Sequence, residues 1–152
     1  MPHFHTTKIL SITAEQAYAI ASDVGAYKEF LPLVVRSTIR GERTPAGTGE
    51  SFDAELVVAY EKFRLRETFI SRVTIQPGTR TVVAQSSDGP LKFMETVWQI
   101  SALTPTTCEI SFKVDYALRS LPLQFMVGQV FEFAVQKIMI AFEERGRKLY
   151  VS

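Results

Sequence analysis

One cysteine, two histidines and a near balance of charge are the scarcities that first narrow the reading of this chain of 152 residues. The single thiol, Cys108, excludes an internal disulfide framework and fits a reducing compartment. His3 and His5 both lie near the start, so a buried Ser-His-Asp or Cys-His centre has little to work with and triad catalysis is not expected. That pair shares one face of an extended segment and offers at most weak metal binding. A flexible, solvated terminus is the favoured reading, and no metal site is expected. Seventeen Lys and Arg against sixteen Asp and Glu leave a net charge of +1. That is too little for nucleic-acid binding by bulk electrostatics, so no DNA partner is expected and any basic function must be local. No apolar run reaches the roughly 20 residues of a membrane span. The opening Met-Pro-His-Phe-His-Thr-Thr-Lys lacks the basic start and apolar stretch of a signal peptide. The expectation is a cytoplasmic protein whose membrane contact, if any, is peripheral. Gly47 and Gly49 lack the Gly-Lys that completes a phosphate loop.

What is present reads as one domain over residues 1–152, since a chain of this size buries enough surface to be stable alone and contains neither repeats nor a linker. Phe4 to Ile12 mixes β-branched and aromatic residues, and Thr13 can cap a helix from Ala14 to about Ser22. A second short helix is predicted over Ala26 to Phe30, stopped by Pro32. Val34 to Arg43 looks extended, and Pro45 with Gly47-Thr48-Gly49 marks a hairpin turn. From Phe52, apolar residues recur at every second position (Phe52, Ala54, Leu56, Val58, Tyr60), the pattern of a half-buried strand. The next segment sets Phe63, Leu65, Phe69, Val73 and Ile75 on one face, with Lys62, Arg64, Arg66 and Arg72 on the other. Pro77-Gly78 and Asp88-Gly89-Pro90 bracket a shorter strand from Arg80 to Ser86. Strands follow from Leu91 and around Cys108 to Tyr116. Beyond Arg119 the period becomes about 3.6, and a helix to about Tyr150 would be about 45 Å long. Short connections favour an antiparallel meander whose twisted sheet wraps that helix, an α+β arrangement of about seven strands with two short helices after the first.

Asp23-Val24, Tyr27, Phe30-Leu31-Pro32, Ser71-Arg72-Val73, Asp88-Gly89-Pro90-Leu91-Lys92, Trp98 and the run from Met139 to Arg145 occur in this order over nearly the whole chain. In this set the chain resembles the coenzyme Q-binding family of the START-like, or polyketide cyclase, superfamily. Leu33-Val34 stand where Trp-Cys often follows Phe-Leu-Pro, and Leu91 replaces a common Phe. The resemblance implies a helix-grip fold with a hydrophobic cavity, binding of an isoprenoid lipid such as ubiquinone in support of respiration, and no cofactor chemistry of its own. It also implies a rival, because closely similar bacterial sequences are described as ribosome association toxins that block joining of the ribosomal subunits.

Three features can carry function. The inward apolar surface comprises Leu31, Phe52, Leu56, Phe69, Met94, Trp98, Phe112 and Val114, opposite Val127, Phe131, Ala134 and Ile138 of the helix. These side chains either fill the core or line a ligand cleft, and a long helix held across a curved sheet favours the cleft. Glu67 is the odd member of that face, and a bulge turning it outward is favoured over a contact with a ligand headgroup. On the helix, Gln129, Glu132, Gln136, Glu143 and Arg147 centre the solvated side, while Met126, Phe133 and Ile140 recur every seven residues. This second apolar stripe is either covered by loops or offered to a membrane, a partner or a second copy. Third, Arg64 and Arg66 belong to the basic strand face. It is read as a solvated surface, with lipid headgroups or ribosomal RNA as the sharper alternatives. If the strand turns near Tyr60-Glu61, Glu55 would lie opposite Arg66. A cyclase would need acid-base groups in the cavity, for which only Glu67 and Tyr116 offer themselves.

Overall fold

The computed structural model describes residues 3–89 and 91–150, with every side chain among them except that of Phe63. The expected inward position of Phe63 and the turn role of Pro90 therefore lie outside the described residues. The strands are β1 (His3–Leu10), β2 (Val34–Ala46), β3 (Gly49–Tyr60), β4 (Leu65–Gln76), β5 (Thr81–Ser86), β6 (Leu91–Thr104) and β7 (Thr107–Leu118). They form one antiparallel sheet in the order β1-β7-β6-β5-β4-β3-β2. Six strands thus run as a meander, and the first returns to pair with the last. This is the helix-grip arrangement expected from the sequence.

Between β1 and β2 the chain crosses in α1 (Ala14–Ser22) and a 3₁₀ segment (Val24–Glu29). Thr13 opens α1 with a capping box: its hydroxyl accepts from the Gln16 backbone N–H at 3.1 Å, and the Gln16 side chain accepts from the Thr13 N–H at 3.0 Å. Such a cap is worth about 1 kcal/mol. The second helix starts two residues earlier than Ala26 and is wound more tightly, with i to i+3 bonds from the Ala26 N–H to the Asp23 carbonyl and from the Phe30 N–H to the Tyr27 carbonyl. At the other end of the sheet, a Cβ on Gly49 would lie 1.8 Å from the carbonyl oxygen of Ile75. Only glycine lets β3 begin that close to the end of β4.

The β3–β4 register corrects three expectations. It is unbroken from Glu50↔Ile75 to Tyr60↔Leu65, so no bulge turns Glu67 outward. Glu55 lies opposite Ile70, not Arg66, and its carboxylate pairs with Arg40 of β2 at 3.1 Å. Lys62 and Arg64 are not on the strand face. They belong to the 3₁₀ connection Glu61–Phe63 and its left-handed cap, Arg64 at φ 52°, while Arg72 pairs with Asp53 at 3.2 Å. His3 and His5 are likewise part of β1 and not a loose terminus, with His3 bonded to Asp115 at 2.5 Å and His5 to Ser111 at 2.9 Å.

Helix α2 (Leu121–Tyr150) is anchored at its C-terminal half. Ile138, Met139 and Phe142 are buried, and Phe142 stands 5.1 Å from Trp98, itself 4.4 Å from Phe112, ring centre to ring centre. Arg145 lies over the Phe30 ring at 5.2 Å and pairs with Glu29 at 3.5 Å. Glu143, expected on the solvated side, is half-buried between Lys8 at 3.8 Å and Arg147 at 3.7 Å. The absence of a span-length apolar run also needs correction. By length and composition α2 could cross a membrane, although in this fold its buried stripe packs on the domain.

Candidate ligand cavity

Where the N-terminal half of α2 passes over the sheet, the side chains of the two do not fill the space between them everywhere, and a cavity of about 180 Å³ remains. Its floor is the inward face of β3 to β7. One wall is α2, and the other is the segment following the 3₁₀ turn, from Leu31 to Val34. The size is below the roughly 300–1,000 Å³ of a complete small-molecule site and near the roughly 150 Å³ that holds one benzene ring. One ring or a short piece of hydrocarbon fits without rearrangement.

Nine of the twelve residues expected to line a cleft do so. From the sheet side these are Leu31, Leu56, Phe69, Met94, Trp98 and Phe112; from α2 they are Val127, Phe131 and Ile138. Phe52, Val114 and Ala134 do not line it. They are almost fully buried in the core, and Arg43 covers the Phe52 ring at 4.4 Å. Pattern alone missed Leu33, Val58, Leu65, Leu91, Leu123 and Val130 among the lining residues. Val58 and Leu65 were legible as inward positions of their strands. Leu123 and Val130 fall on the same side of α2 as Val127, a signal available from helical spacing.

Polar groups at the cavity are few, and two of them are already engaged. The Tyr27 hydroxyl donates to the carbonyl of Ala21, and burial, with Asp23 adding to it, pushes its pKa upward. Ser86 donates to the carbonyl of Ile70 at 2.8 Å. Glu67 supplies the one charged side chain among the described lining residues. It shares the inward row of β4 with Leu65, Phe69 and Ser71 and lies opposite Val58 of β3. Tyr116, the other acid-base candidate, is displaced from the cavity. It is buried against Phe4 and Phe131 near Gly128, and burial raises its pKa. The thiol of Cys108 is buried in the core, and burial raises its pKa as well. Among the described residues no group of three or more His, Cys, Asp or Glu is placed to hold a metal.

Of the two alternatives for the second apolar stripe, two of its three residues fit the open one. Phe133 is 51% and Ile140 49% exposed, and Lys137 lies over the Phe133 ring at 4.3 Å, whereas Met126 is half-buried. Leu121 and Phe125, at 76% and 71%, extend the exposed apolar surface to the start of the helix. Arg64 and Arg66 are exposed beside the β3–β4 connection, and neither forms an ion pair among the described residues.

A helix over a curved seven-stranded sheet, with an apolar cavity between them, defines a START-like domain. Residues 10–143 match the family described as polyketide cyclase / dehydrase and lipid transport, and the chain belongs to that family. It is 27% identical over 150 residues to the ribosome association toxin RatA of Escherichia coli, covering 99% of this chain and 90% of the relative. It is 29% identical to the mitochondrial coenzyme Q-binding protein COQ10 homolog B of Xenopus laevis, over 97% of this chain and 59% of that protein. The solution structure of the 18 kDa protein CC1736 from Caulobacter crescentus superposes with a TM-score of 0.82 at 26% identity, covering both chains completely. The family's description spans enzymes and lipid carriers alike.

Proposed function

We propose that the protein is a non-enzymatic carrier or chaperone for an isoprenoid lipid, most specifically ubiquinone, and that it works in the cytoplasm beside a membrane. The observation that carries this reading is the apolar cavity under the N-terminal half of α2. Each buried methylene-sized group contributes about 0.8 kcal/mol, so eight such groups gain about 6 kcal/mol with no polar recognition. The name of the COQ10 relative supports the choice of quinone. Against catalysis stands the poverty of acid-base groups, with Glu67 the one charged side chain among the described lining residues. Purification from a quinone-producing host, followed by solvent extraction and chromatography, should recover prenyl quinone in near-stoichiometric amount. Protein that repeatedly yields none, at low detergent, would refute the reading.

A second function is favoured by a different observation: Arg64 and Arg66 stand exposed and without acidic partners among the described residues, and the RatA relatives carry the name of a ribosome association toxin. On that reading this end of the sheet, at the β3–β4 connection, meets the phosphates of ribosomal RNA. Wild-type protein should then co-sediment with the large subunit at low salt, and reversal of both charges should abolish it.

A further inference from the structure

The cavity wall is apolar apart from a few groups, and what those groups can do restricts the ligand. Tyr27 and Ser86 have their hydroxyl hydrogens committed to the carbonyls of Ala21 and Ile70, and the other hydroxyl-bearing lining residues are Tyr60 on β3, Ser71 on β4 and Thr96 on β6. Glu67 is half-buried on the inward row of β4, in a register that holds it there, and forms no ion pair among the described residues. A carboxylate accepts hydrogen bonds and donates none. A guest that sets a carbonyl oxygen against the Glu67 carboxylate opposes acceptor to acceptor. A guest that brings a hydroxyl forms a charge-assisted hydrogen bond. A cationic guest would pair with the carboxylate as well, but it must first leave its own hydration, which an otherwise apolar wall does not replace.

We propose that Glu67 makes the cavity selective for a prenyl lipid whose ring carries a hydroxyl donor, so that it takes the reduced quinol in preference to the oxidised quinone. This rests on the carrier reading above and adds the redox form of the cargo. The protein performs no electron transfer in this scheme; it distinguishes two forms of one ring by a single donor. Phe69, two residues along the same row, supplies a ring on which the aromatic head can pack, and Val58 opposite Glu67 keeps the surroundings apolar.

Calorimetric titration of the intact protein with decyl benzoquinol and decyl benzoquinone, under anaerobic conditions, tests this directly. Wild-type protein should bind the quinol at least about tenfold more tightly, the scale of one hydrogen bond to a charged group. Glu67→Gln can donate to a carbonyl as well as accept, and should narrow the preference to within about threefold. Glu67→Leu should reverse it by tightening the quinone, a gain that a misfolded variant would not produce. Equal affinities in the wild type, or a preference for the quinol that survives both substitutions, would overturn the selectivity while leaving the carrier reading in place. Failure of both forms to bind the wild type would remove the carrier reading and the selectivity together.

Discussion

Tyr27 shows how one residue joins core to cavity. Its hydroxyl closes the turn between α1 and the 3₁₀ segment, its ring meets Phe30 edge-on at 6.0 Å, and its remaining surface lines the cavity. Because burial raises its pKa, the folded state holds the phenolic proton more firmly than the unfolded chain does, whose tyrosines titrate near about 10. The associated stability is therefore complete below about pH 10 and is lost as pH rises above it. Tyr27→Phe should flatten this alkaline decline, measured by urea unfolding between about pH 8 and 11, though Tyr18 and Tyr116, raised by the same cause, will keep part of it. At this scale the sequence was informative about faces and poor about depth. Period-two alternation put Phe52 and Phe69 on the same inward side, yet it does not say where along the strand the helix lifts away. That is why Phe52 packs solidly while Phe69 meets space. Glu67 was misplaced for a related reason: the cost of burying a charge suggested a bulge, while the unbroken alternation of its neighbours was the better guide.

Helix α2 is one continuous element in two mechanical regimes. From Ile138 to Gly146 it is locked, since a Cβ on Gly146 would come within 2.9 Å of Ile12 and Phe142 packs on Trp98. From Leu121 to Phe131 it rests on the cavity, with Val130 as its one buried residue. A lipid longer than one ring requires this first half to move outward while the second half holds. Amide hydrogen exchange should accordingly be at least about tenfold slower across 138–146 than across 123–131, and a bound lipid should protect the earlier segment selectively. Uniform protection along the helix would contradict a lid of this kind. The length of α2 and its two apolar stripes were readable from the 3.6 period, and so was the hairpin succession from Gly and Pro punctuation. The tight winding of Val24–Glu29 was not, because a single short turn closed by i to i+3 bonds leaves no period in the sequence.

On the scale of the whole molecule, the exposed apolar residues Leu121, Phe125, Phe133 and Ile140 all lie on the helix that closes the cavity. A carrier that loads from a bilayer would approach it with this helix foremost. Replacing Leu121 and Phe125 together by Ser should lower co-sedimentation with anionic phospholipid vesicles at least about threefold, while shifting the melting temperature by no more than about 2 °C, as expected for surface sites. Unchanged sedimentation would place lipid exchange elsewhere. The pairing of β1 with β7 has a consequence of another kind. His3 bonds across to Asp115, so the opening strand finds its neighbour only after more than a hundred further residues have been made. Closing so long a loop is entropically slow, and until it closes the inward edge of β1 is bare. During synthesis β1 must therefore wait, and the seven-stranded sheet is complete only once β7 has been made.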